Sequence, residues 1–295
     1  MEPGGLMSWY LGMRVKFNEN GDISMDQDQY LKEKIEEYEE ILGDKIVSTP
    51  LPLNYLQLVE EDDRCLAPED FPYREMIGSL MYAMVGTRPD LAFPLQFLCQ
   101  HMQSPTKVHC NLLIHLFNYC RGNSYALVFK ADNDMLLKGW SDASYANNHD
   151  CKSTSGYHFK IGESPISWSE RKQNIVALST TESETIGLTY AAQEAIWLKE
   201  LFAELGFPQQ SVEIFEDNQA CIKLAMNPQQ HSRTKHIAVR YFFIRQHLEQ
   251  GTMKLSYCPT KDQLADIFTK ILAGHVSRPL LLRLGLTKLL NQGVC

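Results

Sequence analysis

Four acidic residues in the C-terminal half of the chain stand in contexts suited to chemistry. Asp142 lies in Gly-Trp-Ser-Asp-Ala-Ser and Glu184 in Ser-Thr-Thr-Glu-Ser-Glu-Thr. Asp217 follows Val-Glu-Ile-Phe-Glu, and Asp266 lies in Gln-Leu-Ala-Asp-Ile-Phe-Thr-Lys. They are roughly 40, 30 and 50 residues apart, so only a fold can bring them together. No matching set of His or Cys ligands accompanies them. Carboxylates alone favour hard divalent cations, which take oxygen ligands, over softer transition metals. Two such ions about 4 Å apart can activate a water and stabilise a leaving oxygen. Convergence of the four acids therefore predicts a metal-dependent nuclease centre. Without metal, their mutual repulsion should raise their pKa values, and metal should lower them.

The elements that must carry these acids follow from hydrophobic periodicity. Strands are predicted at Met135–Ala143, Ser155–Ile161 and Pro165–Glu170, the second with clear alternation in Tyr157-His-Phe-Lys-Ile. Ser179-Thr-Thr-Glu182 is a capping-box pattern that opens a long helix to Gly206. A fourth strand, Val212–Phe215, leads into Asp217 and a short helix, Asn218–Met226, stopped by Asn227-Pro228. A helix from Lys235 to Gln250, a strand Met253–Cys258 and a last helix Gln263–Leu272 complete the order. The prediction is an α+β domain at 135–272, a mixed five-stranded sheet with flanking helices.

The first half has a different rhythm. A strand at Ser8–Phe17 precedes an Asn-Glu-Asn-Gly-Asp turn, and a helix spans Gln27–Leu42. Residues 48–72 are Pro- and acid-rich and read as a loop. Helices follow at Tyr73–Val85, Asp90–Met102 and Asn111–Cys120, then a strand at Ala126–Lys130. Residues 1–130 are thus a smaller, mostly helical unit, and residues 273–295 read as a basic tail.

The 295-residue chain has a net charge of −8, unevenly spread. Residues 1–134 hold 11 basic and 21 acidic side chains, which makes that half a poor nucleic-acid surface. Residues 135–275 hold 14 and 15. With four acids assigned to the metal centre, the remainder of that segment is net basic. The eight cysteines show no Cys-x-x-Cys pairing, which predicts reduced thiols rather than a disulfide frame or a zinc site. Neither a signal-peptide pattern nor an apolar run near the ~20 residues of a membrane helix is present, so no membrane partner is expected.

Several runs occur together: Lys152-Ser-Thr-Ser-Gly156, Pro165-Ile-Ser-Trp168, Arg171-Lys-Gln173, Ala177-Leu-Ser-Thr180, Asp217-Asn-Gln, Arg233-Thr-Lys-His-Ile237 and Leu264-Ala-Asp-Ile-Phe-Thr-Lys270. In this order they resemble the ribonuclease H domain of copia-type LTR-retrotransposon Pol polyproteins. Tyr10-Leu-Gly, Ser48-Thr-Pro50, Tyr73-Arg-Glu-Met-Ile-Gly-Ser-Leu-Met-Tyr82, Arg88-Pro-Asp90 and Ser104-Pro-Thr-Lys-Val-His109 resemble the thumb and connection region of the same family's reverse transcriptase. No aspartate-rich polymerase turn precedes Tyr10, so the expectation is a C-terminal piece of a polyprotein, without polymerase activity of its own.

The resemblance implies hydrolysis of the RNA strand of an RNA–DNA hybrid with two Mg²⁺ (or Mn²⁺), in a cytoplasmic retrotransposon particle or the nucleus. It implies a missing polymerase palm and fingers as a partner. Asp142, Glu184, Asp217 and Asp266 would be catalytic metal ligands, with Asp142 bridging both ions. Glu184 is chosen over Glu182 because Glu184-Thr-Ile-Gly-Leu resembles the family's metal-binding helix, leaving Glu182 to the helix N-terminus. Glu216 should face away from Asp217, because strand side chains alternate. Many relatives carry a second acid where Ser144 stands, so no fifth carboxylate is expected there. Arg233, Lys235, Arg240 and Arg245 are candidates for phosphate contacts, against a solvated helix face. Lys152, Ser153 and Thr154 could touch the backbone or build a turn, and His236 could contact phosphate or cap a helix. Trp168 and Trp197 read as core. The rival reading is an inactive nucleic-acid-binding or structural remnant.

Overall fold

The computed structural model describes residues 6–62, 66–131, 134–227 and 238–289. The chain forms two units, Met1–Ala131 with Ile271–Cys295, and Asp132–Lys270. Each is built around its own sheet.

In the first unit the single predicted N-terminal strand is a hairpin of β1 (Trp9–Tyr10) and β2 (Met13–Phe17). Leu11 and Gly12 both have positive φ, 45° and 71°, as a two-residue hairpin turn of type I′ requires. A strand not expected from sequence, β3 (Ile23–Asp26), pairs with β2. The predicted helix Gln27–Leu42 divides at Tyr38 into α1 (Asp28–Glu37) and α2 (Glu39–Leu42). A short α3 (Tyr55–Glu60) lies within the stretch read as loop. α4 (Tyr73–Gly86), α5 (Ala92–Cys99) and α6 (Lys107–Gly122) pack around Met76, Ile77, Leu80, Leu98, Leu113 and Phe117, all essentially buried. Arg88 is buried with them; it pairs with both oxygens of Asp90 at 2.8 and 2.7 Å, and Tyr119 Oη donates to the same carboxylate at 2.9 Å. β4 (Tyr125–Phe129) ends this run.

The second unit begins with β5 (Leu137–Ser144), β6 (Thr154–Ile161) and β7 (Ser164–Lys172), an antiparallel meander. α7 (Thr180–Glu204) crosses to β8 (Val212–Glu216). α8 (Gln219–Met226) and α9 (Ala238–Glu249) then lead to β9 (Met253–Tyr257). The strand order is β7-β6-β5-β8-β9, with β8 parallel to β5 and β9 parallel to β8. This is the mixed five-stranded sheet with flanking helices predicted from sequence. Leu137, Phe159, Val212, Ile214, Met253 and Leu255 from the sheet meet Leu188, Ala191, Ala192, Ala195 and Leu198 of α7 in one core. The small residues let α7 lie close to the strands: a Cβ on Gly187 would already touch the Asp142 carbonyl oxygen at 3.3 Å.

Two expectations are corrected. The predicted helix Gln263–Leu272 is a pair of 3-10 turns, Thr260–Asp262 and Leu264–Phe268. All five residues of the second turn are buried, so enclosure on every side, not a one-sided apolar stripe, sets its shape. The basic tail from residue 273, readable as a helix or as a frayed extension, is a helix, α10 (Gly274–Arg283), but it is followed by an unforeseen strand, β10 (Leu286–Lys288). β10 pairs antiparallel with β4, so the first sheet runs β1-β2-β3-β4-β10. Leu280, Leu281, Leu284 and Leu286 are buried, and their apolar area outweighs the charge that suggested a solvated tail. Among the described residues no helix is long and apolar enough to cross a membrane.

Candidate metal centre

β5 and β8 are parallel neighbours, so both deliver their C-terminal residues to the same end of the sheet. Asp142 lies near the end of β5, opposite Gly156, and Asp217 directly follows β8. Glu184 reaches the same end from the first turns of α7. One carboxylate oxygen from each of Asp142, Glu184 and Asp217 lies within 4.8 Å of the other two. Asp142 and Glu184 are buried, and Asp217 is partly exposed. Thr269 Oγ1 donates to Asp142 Oδ2, and Thr260 Oγ1 donates to Asp217 Oδ2 at 2.7 Å.

Asp266 stands beside this group rather than within it. It is buried, and Lys270 Nζ pairs with its Oδ1 at 2.8 Å while lying 4.0 Å from Asp142 Oδ2. The 3-10 turn positions all three of Asp266, Thr269 and Lys270. It fits closely over Gly156, where a Cβ would come within 2.6 Å of Phe268 Cβ.

The electrostatics are those of repelling acids kept from water. Burial pushes Glu184 well above the usual carboxylate range, and Glu216, Asp142 and Asp217 push it further. Burial also raises Asp142, against the opposing pull of Lys270 and Thr269. Asp266 is pushed up to about 7, by burial first and by Asp142 next, with Lys270 opposing. Burial alone would lower Lys270, but Asp142 and Asp266 outweigh it and the net shift is upward. Glu184 Oε2 is buried without a hydrogen-bond partner. An all-oxygen donor set with excess negative charge and an orphaned oxygen fits a hard divalent cation. Asp142, Glu184 and Asp217 are the residues that would hold it.

The neighbouring acid Glu182 has a different task. Its backbone N–H donates to Ser179 Oγ at 3.1 Å, and its Oε2 accepts from the Leu178 N–H at 2.8 Å. Both bonds close the α7 N-terminus. Glu216, expected on the face of β8 opposite Asp217, is fully buried, and alternation puts it with Val212 and Ile214 on the face that packs against α7, where the charges of Asp142 and Asp217 still reach it.

Ser153 and Thr154 are buried and hold the β5–β6 loop: Ser153 Oγ accepts from the Ala146 N–H at 3.0 Å, and Thr154 Oγ1 donates to Asn147 at 2.9 Å. They build the turn and are not presented to a duplex backbone. Lys152 is partly exposed, 3.4 Å from Asp150. Arg240 is half-buried on α9. Arg245 donates to the carbonyls of Leu224 and Asn227, a cation at the C-terminus of α8. Arg233, Lys235 and His236 lie outside the described residues. Trp168 is half-buried, whereas Trp197 is 55% exposed and not core. Thr260, Thr269 and Lys270, which touch the acids, were not among the site residues expected from sequence. For Lys270 the signal was present: a cation four residues after an acid.

The second unit is thus an α+β domain with a mixed five-stranded sheet and three acids gathered at one end of it. The chain is 35% identical to the retrovirus-related Pol polyprotein from transposon TNT 1-94 of Nicotiana tabacum, over 92% of this chain and 21% of that one. It is 34% identical to the corresponding polyprotein of transposon RE2 of Arabidopsis thaliana, over 90% and 18%. The chain is thus similar over about nine-tenths of its length to retrotransposon Pol polyproteins, and it spans about a fifth of the length of these relatives. No family model matches it. Among solved structures, it is similar to a ribonuclease H1 isolated from compost, at 12% identity and a TM-score of 0.37, covering 46% of this chain and 93% of that one.

Proposed function

We propose that the second unit is a metal-dependent endonuclease that hydrolyses the RNA strand of RNA–DNA hybrids. The observation that carries this reading is the convergence of Asp142, Glu184 and Asp217 within 4.8 Å at one end of the sheet. Bound divalent ions would supply the nucleophilic water and the charge that stabilises the leaving oxygen. The chain's own part is to hold and orient. Asp142 is fixed by Thr269, and Asp217 by Thr260, so neither carboxylate must reorganise when substrate arrives. Asp266 and Lys270 flank the site, and Asp266 is the fourth ligand of this proposal. Products carry 5′-phosphate and 3′-hydroxyl ends. The first unit, residues 1–130, would correspond to the thumb and connection region of the family's reverse transcriptase, and the polymerase palm would be its partner in the polyprotein.

The test is incubation of the purified chain with a labelled RNA–DNA hybrid and Mg²⁺ or Mn²⁺. Cleavage of the RNA strand is expected, reduced by at least ~10²-fold in Asp217→Asn, the scale of losing one preorganised transition-state contact. Binding of hybrid without cleavage, or cleavage unaffected by Asp217→Asn, would overturn the proposal.

A further inference from the structure

Beneath the three acids lies a second set of polar atoms. Ser141 and Glu216 sit on neighbouring strands, one residue beyond the paired Trp140 and Phe215. Side-chain alternation puts Ser141 on the face of Leu137 and Gly139, and Glu216 on the face of Val212 and Ile214. Leu137, Val212 and Ile214 pack against α7, the helix that carries Glu184. Ser141 and Glu216 are both fully buried. Glu216 Oε1 accepts from the Asn218 N–H at 3.1 Å. Glu216 Oε2, Ser141 Oγ and Glu184 Oε2 have no hydrogen-bond partner among the described residues.

Three orphaned buried oxygens, two on the strand face that packs against α7 and one on α7 itself, are a physical anomaly. Each such group ordinarily costs about 1–3 kcal/mol, more when charged. A carboxylate without a counter-charge in a protein interior is strongly unfavourable. Neither thiol nor hydroxyl nearby relieves Glu216: Thr185 Oγ1 is turned to Thr181 and Tyr241, and the Cys221 thiol lies 3.6 Å from Thr185 Oγ1. Lys270 serves Asp266 and Asp142 on the opposite side. The arrangement makes sense when a cation is what the pocket is charged for.

We infer that Glu216 is a further acid of the metal centre, held behind Glu184, and that its charge sets the affinity with which the site takes a divalent cation. The inference rests on the metal-centre reading above. Glu216 is not among the three carboxylates whose oxygens share one small volume. It acts from behind them, through its charge. In the loaded protein that charge strengthens binding.

The test uses the full chain and Mn²⁺ as the probe, with binding followed by electron paramagnetic resonance and folding by thermal denaturation in chelator. Glu216→Gln keeps the size and the acceptor for Asn218. It is expected to weaken Mn²⁺ binding about tenfold while the metal-free melting temperature rises or is unchanged. A merely structural role would lower that temperature and leave the Mn²⁺ affinity alone. Unchanged Mn²⁺ affinity in Glu216→Gln, beside measurable binding by the native chain, overturns the inference and spares the proposed function. No Mn²⁺ binding by the native chain overturns both. Should Glu216→Gln fail to fold, Glu216→Leu, neutral and of similar size, is read by the same criterion.

Discussion

Asp266 and Lys270 show how single residues here carry the strain of a site built to be charged. Asp266 in the folded chain titrates at about 7, far above an ordinary aspartate near 3.8. The folded state therefore holds its proton more tightly than the unfolded chain does. Its stabilising contribution is complete below about pH 4 and is lost as the pH rises through 7. Glu184 and Asp142 are shifted in the same direction and add to the same trend. Metal-free protein is thus expected to be less stable at pH 8 than at pH 5, by on the order of 2–4 kcal/mol. Saturating Mg²⁺ should remove most of that difference. Calorimetry in chelator and in Mg²⁺ across this range checks it, and a flat metal-free profile would refute it. At this scale the sequence was informative about identity: the contexts of Asp142, Asp217 and Asp266 singled them out. It was less so for partners. Lys270, Thr269 and Thr260 act through positions that only the folded chain brings beside the acids.

Among the elements, the 3-10 turn Leu264–Phe268 depends most on its neighbours. It lies on Gly156, opposite Asp142 in the sheet, and it carries Asp266 while Thr269 and Lys270 follow. Gly156→Ala would place a methyl 2.6 Å from Phe268 Cβ and 3.0 Å from Thr269 Cγ2, so the turn must shift. A loss of about 1–3 kcal/mol is expected, as for other overpacked cores, together with a fall in hybrid cleavage. Urea denaturation and the cleavage assay measure the two; a variant indistinguishable from the native chain would show that the turn has room to spare. The contrast with α7 explains which elements were legible. α7 announces itself through Ser179 and a long run of helix formers, and its predicted start agrees with the cap observed at Ser179. The segment 263–272 is richer in apolar residues than α7, but it packs closely against β5 and β6, and enclosure overrides local propensity.

For the molecule as a whole, the chain returns from the second unit to complete the first. α10 and β10 add four buried leucines and a fifth strand to a sheet otherwise made of residues 9–129. Ending the chain after Ala273 leaves the β4 edge unpaired and removes that apolar contact, with buried leucines worth about 2–5 kcal/mol each. The first unit is expected to lose its cooperative melting transition and to become sensitive to limited proteolysis, while the second unit keeps its own transition. Equal protease resistance of both units in the shortened chain would contradict this. From sequence the same residues looked like a basic tail, because three cations stand out and the pairing partner of β10 lies about 160 residues earlier. The amino-acid sequence alone carried the resemblance to retrotransposon Pol polyproteins, singled out the three acids that the fold brings together and marked most elements of the second unit, since periodicity, caps and motif order are local properties. Only the tertiary structure decided that Glu216 lies behind the acids, that Lys270 stands between two of them and that the last strand belongs to the first sheet. Those are matters of which face a neighbouring element covers, and burial and charge act across space regardless of distance along the chain.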